Sequence, residues 1–146
     1  MDAALARLDF FEALRADLAC AVPEPSAFAG DALSLRLVRL VAPPGGGPED
    51  IRAAAVRWEP ASGAVRRTCE RTGAPEEIAV HAFAPRFSYA RLVAPASSNA
   101  PAELVWTDVW RAPGPPAAVR AAFGAESWEL PVPCFDPADR EKGAAP

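Results

Sequence analysis

The stretch Ile78–Val93, IAVHAFAPRFSYARLV, limits the fold more than any other part of the chain. It is rich in residues that suit a pleated surface, and Pro85 interrupts it midway. On an extended chain, Ile78, Val80 and Ala82 share one face while Ala79, His81 and Phe83 share the other. After the proline, Phe87, Tyr89, Arg91 and Val93 alternate with Ser88, Ala90 and Leu92. The pattern predicts two short strands, or one strand bent at a bulge, in the middle of an antiparallel sheet. His81 is the only histidine of the chain and Tyr89 its only tyrosine.

The segments around it fill in a sheet and one helix. Residues 2–20 read as a helix that Asp2 can cap, with Ala4, Leu8, Phe11, Leu14 and Leu18 on one apolar stripe. Asp2, Asp9, Glu12 and Asp17 project away from that stripe. Residues 32–41, ALSLRLVRLV, fit a strand or a helix face, with the strand preferred because APPGGGP stops the segment abruptly. IRAAAVRWE and VRRTCERT flank the turn-rich PASGA and predict a hairpin. One register would pair Glu59 with Arg66, Trp58 with Arg67 and Val56 with Cys69, opposing unlike charges and setting an arginine beside a tryptophan. A brief helix from Pro48 is the rival reading of 51–58. AELVWTDVWR, residues 102–111, is a strand with Leu104, Trp106, Asp108 and Trp110 on one face, and its two apolar faces place it inside the sheet. AAVRAAFG predicts two turns of helix ending at Gly124, and ESWELPVP a last short strand.

The fold class expected is therefore α+β: an N-terminal helix packed on a curved, mostly antiparallel sheet of about five to six strands. Residues 1–135 form a single globular domain, and 136–146 form a flexible tail without an apolar face.

Composition narrows function mainly by exclusion. Arginine, alanine, proline and glycine are abundant and Lys142 is the only lysine, a pattern of GC-rich coding. The net charge of −4 gives no global field to attract nucleic acid. No run approaches the ~20 apolar residues of a membrane helix. The acidic start, with Asp2 and Asp9, does not read as a secretion signal. Cys20, Cys69 and Cys134 are odd in number and far apart, which fits free thiols in a reducing cytoplasm. With His81 they lack the paired spacing of a zinc site, so no metal is expected, and no phosphate loop or serine elbow implies a cofactor or a nucleophile.

Two functional readings remain. The first is a small non-catalytic binding or accessory protein that docks on a protein partner, such as a larger bacterial enzyme, with a homo-oligomer as a further possibility. Tryptophan and arginine dominate interface hot spots, which singles out Trp58, Arg66, Arg67, Trp106 and Trp110. The hairpin arginines Arg52, Arg57, Arg66, Arg67 and Arg71 could also hold phosphate or carboxylate. The second reading is a small-ligand cup, enzymatic or not, in which Asp108 orients His81 for proton transfer beside Tyr89. The competing role for Asp108 is an ion pair with an arginine such as Arg91 or Arg111.

Overall fold

The computed structural model describes residues 3–24, 26–42, 45–70, 75–81, 84–94, 99–135 and 141–142. Among the described residues one α-helix, α1 (Ala3–Ala19), precedes ten strands. β1 (Phe28–Gly30), β2 (Leu35–Val41), β3 (Arg52–Ala61), β4 (Ala64–Glu70) and β5 (Pro75–His81) make one sheet in sequence order, all antiparallel. The second sheet is built on β6 (Arg86–Ala94). It includes β7 (Glu103–Thr107), β8 (Ala118–Phe123), β9 (Glu126–Pro131) and the two-residue β10 (Glu141–Lys142). β6 lies between β7 and β8 at Tyr89 and Ala90, and β8 pairs with β9. β10 runs parallel to β6 and pairs with Val93 and Ala94, so two residues of the predicted tail pair with the sheet.

The chain is thus α+β with antiparallel sheets, but two sheets of five strands replace the single sheet of five to six. Pro85 is where the difference arises. It is buried between β5, at the end of one sheet, and β6, at the centre of the other. A residue with no N–H suits a crossing where the ladder must break. A second junction closes the opposite side: Gly30 and Trp110 exchange backbone hydrogen bonds of 3.1 and 2.9 Å, and Phe87 N–H donates to Ala32 O at 2.8 Å.

The hairpin β3–β4 has the register that charge and turn chemistry predicted, with Glu59 across from Arg66, Trp58 from Arg67 and Val56 from Cys69. Ser62 and Gly63 both have positive φ, the twist a two-residue hairpin turn requires. A single 3-10 turn at Pro48–Asp50 precedes β3, which is all that remains of the rival helix. Residues 118–123 are strand, not helix: Val119 and Ala121 turn into the core, and Gly124, with φ 58°, turns the chain into β9.

Helix α1 packs between the two sheets. Phe10 meets Trp58 of the first sheet and Phe123 of the second edge-to-face, with ring centres 5.2 and 5.6 Å away. Phe10, Leu14 and Leu18 are buried, each worth up to roughly 1.5–3 kcal/mol. Phe11 is only half-buried, against Trp128, and Leu5 and Leu8 are exposed. The buried arc is rotated by roughly 75° from the predicted stripe, toward Asp17, at 100° per residue.

Candidate functional site

Asp17 explains that rotation. Its side chain is fully buried and accepts four hydrogen bonds. Arg39 Nη1 and Arg67 Nη2 donate to Oδ1 at 2.7 and 2.6 Å. Arg67 Nε and Trp58 Nε1 donate to Oδ2, each at 2.8 Å. β2, β3 and β4 each supply one donor residue, Arg39, Trp58 and Arg67, from the face that the helix covers. The hydrogen bond to Asp17 raises the Arg67 pKa above its ordinary value against the opposing effect of burial. A carboxylate whose lone pairs are all engaged has no acceptor left for a substrate proton, so this cluster anchors the helix to the sheet.

The sequence candidates divide according to which way their strands turn them. Trp58 is fully buried, its indole N–H bound to Asp17, and Arg67 is turned inward to the same carboxylate. Trp110 is buried as well, donating to Gly114 O at 3.0 Å with the Arg91 guanidinium 5.6 Å from its ring centre. Trp58 and Trp110 are therefore core residues, inaccessible to a partner in the folded chain. Arg66 lies on the outer face of β4, half-buried. Trp106 is half-buried on β7, with the Arg120 guanidinium stacked 4.0 Å over its ring and Arg120 in turn paired to Glu129 at 2.8 Å.

Tyr89 and Asp108 are placed in different surroundings. Tyr89 is fully buried, and its hydroxyl lies 2.8 Å from Asp31 O and 3.0 Å from Ser34 O, to which it donates. Burial raises its pKa far above the ordinary phenol value, and the nearby Asp31 charge adds to the effect. Asp108 was expected to be partly buried beside Trp106 and Trp110. β7 ends at Thr107, so the strand alternation never reaches it; Asp108 is exposed in a bend, 3.6 Å from Arg86. Its partner is an arginine, though not Arg91 or Arg111. His81 ends β5 in the other sheet, and its side chain lies outside the described residues. Among the described residues, no group of three or more histidine, cysteine or acidic side chains is placed to hold a metal.

Two surface features that the sequence did not reveal remain accessible. The first is β7. Predicted to lie inside the sheet, it pairs with β6 alone, and no other described strand pairs with its outer edge. Leu104 and Val105 are 46% and 44% exposed on its two faces. Just past its end, Val109, Leu33 and Pro60 line a mainly apolar depression of about 450 Å3. The second feature is the outer face of the first sheet, where β2 and β3 set Arg36 directly across from Arg57.

The fold and these surfaces define a small α+β protein of two antiparallel sheets around one core. No protein-family model, curated protein or solved structure matches the chain. No helix among the described residues is long and apolar enough to cross a membrane.

Proposed function

We propose that this chain is a non-catalytic accessory protein that docks on a protein partner by accepting an extended segment of that partner along the outer edge of β7. The observation that carries the reading is the edge itself. Folded proteins blunt such edges with charges, prolines or covering loops, because unpaired N–H and C=O groups recruit other strands. Within β7 only Glu103 is charged, and Leu104 and Val105 present apolar surface on both faces of the strand. In strand addition, main-chain hydrogen bonds supply affinity and pockets for alternate side chains supply specificity. The depression lined by Leu33, Pro60 and Val109 is placed to take an apolar side chain of the added segment. Three free thiols, Cys20, Cys69 and Cys134, fit a reducing cytoplasm.

What weighs against the small-ligand cup is the enclosure of Tyr89 and the exposure of Asp108, which share no described pocket.

The test is site-specific photo-crosslinking in the native host from residue 105, with residue 126 on the far edge as control, in the parent chain and in a Leu104→Lys variant. The reading predicts one partner captured from 105 alone and lost in Leu104→Lys, with an unchanged melt. Equal capture from both positions would refute it. A homodimer that Leu104→Lys dissolves would assign the edge to self-assembly instead.

A further inference from the structure

We propose that the outer face of the first sheet holds a site for a small dianion of the phosphate-monoester type, formed by Arg36, Arg57 and Thr68. The strand register makes it. Arg36 of β2 lies across from Arg57 of β3, and Thr68 of β4 lies across from Arg57 on its other side. The three stand in one row, on the face opposite the helix. Side chains directly across an antiparallel pair start from Cβ atoms about 4.5–5.5 Å apart, and like charges there repel. Neither arginine makes an ion pair or hydrogen bond with a described residue. On the inner face two arginines that are not cross-strand neighbours, Arg39 of β2 and Arg67 of β4, share the Asp17 carboxylate. Arg57 is exposed, and the carboxylates nearest the outer pair, Glu59 and Glu70, form no ion pair with it among the described residues.

The surroundings give the site a shape. Arg36, Arg57 and Thr68 line a cleft of about 260 Å3 together with Glu59 and Glu70. The two arginines also border an adjoining depression of about 310 Å3 that reaches Ser34 and Arg111, with Asp31 and Glu59 on its wall. Glu59 stands across from Arg66, and Glu70 across from Ala55. Each acid is thus one step along the strands from the arginine row and flanks it without bridging it.

The ligand class follows from these charges. Two planar guanidinium forks and a hydroxyl complement the oxygens of a tetrahedral anion, while Glu59 and Glu70 offset part of the positive charge and limit the affinity. A single carboxylate would leave one guanidinium unmatched. A polyanion such as nucleic acid would run into Glu59, Glu70 and the register position of Glu77 across from Thr68, on a chain of net charge −4.

The experiment is a titration of the full chain with inorganic phosphate at pH 7.5 and constant ionic strength, following the arginine Nε–H signals by NMR, with sulfate, acetate and chloride as parallel arms. The proposal expects saturable shifts at Arg36 and Arg57, also given by sulfate, and about tenfold weaker binding of acetate. Arg57→Gln and Arg36→Gln should each weaken phosphate by about tenfold or more, and Glu70→Gln should tighten it by about two- to fivefold. Melting curves establish that each variant is folded, and the two arginine variants are independent should one fail. Shifts no larger than those from chloride, shifts spread equally over Arg15 and Arg52, or unchanged affinity in both arginine variants would overturn it.

Discussion

Replacing Asp17 by asparagine keeps the shape of the side chain and removes its charge. The amide also turns one acceptor into a donor, which then faces N–H groups of Arg39, Arg67 or Trp58. Breaking a buried ion pair by neutralising one partner costs about 3–5 kcal/mol, because the other charge stays behind uncompensated. Here two charges stay behind. Both guanidinium side chains retain some contact with water, at 19% exposure for Arg39 and 13% for Arg67, so solvent recovers part of the loss. The lower end, about 3 kcal/mol, is the expected cost, and for a chain of this size it corresponds to a fall of about 6–12 °C in Tm. Urea unfolding at pH 7 with a parallel calorimetric melt measures both quantities. A triple replacement, Asp17→Leu with Arg39→Met and Arg67→Met, should recover most of the loss, since well-packed apolar groups substitute for a buried ion cluster at little cost. If Asp17→Asn unfolds within about 1 kcal/mol of the parent, the claim that this carboxylate holds the helix to the sheet is refuted.

Other outcomes follow from the same packing. Phe10→Ala should cost about 3–5 kcal/mol and Phe11→Ala less, the reverse of what the predicted stripe implies; urea midpoints decide it. Tyr89→Phe should cost about 1–3 kcal/mol, because Asp31 O loses its hydroxyl donor and Ser34 O keeps only the Asp31 N–H. Asp31 accepts from Leu33 N–H and from both the N–H and the hydroxyl of Ser34; the Leu33 hydrogen bond is the leading cause that holds its pKa below 3.8. Its stabilisation is complete above that value and is lost as the pH falls through the depressed folded value, so Asp31→Ala should flatten the acid limb of the stability curve. Truncation after Phe135 removes, among the described residues, the two-residue β10 alone and should leave the Tm within about two degrees; a larger fall would show that the tail is docked.

The hairpin was legible because two local signals agreed: a turn-rich PASGA, and a plausible register that sets Glu59 opposite Arg66. The helix was legible as a helix, but its buried face was not, since a hydrophobic projection sends every acid to solvent. Asp17 breaks that rule because its donors come from Trp58, 41 residues away, and Arg67, 50 away. AAVRAAF favours helix locally, yet pairing with β6 and β9 overrides that preference and makes it β8. Both faces of β7 are apolar, which reads as an interior strand; an edge strand awaiting another chain has the same signature. The Arg36–Arg57 pair was invisible while residues 32–41 stood between helix and strand, because a cross-strand neighbour exists only once the register does. Asp108 was misread by extending an alternation past Thr107, where the strand stops.

The most direct test of the docking account is amide hydrogen exchange across Glu103–Thr107, measured on the free chain and on its complex with the partner captured from residue 105. Strand addition predicts that the edge-facing amides of β7 exchange readily in the free chain and become protected in the complex, while β3 and β4 are unchanged. Protection that appears on another element, with β7 exchanging as it does in the free chain, would contradict it.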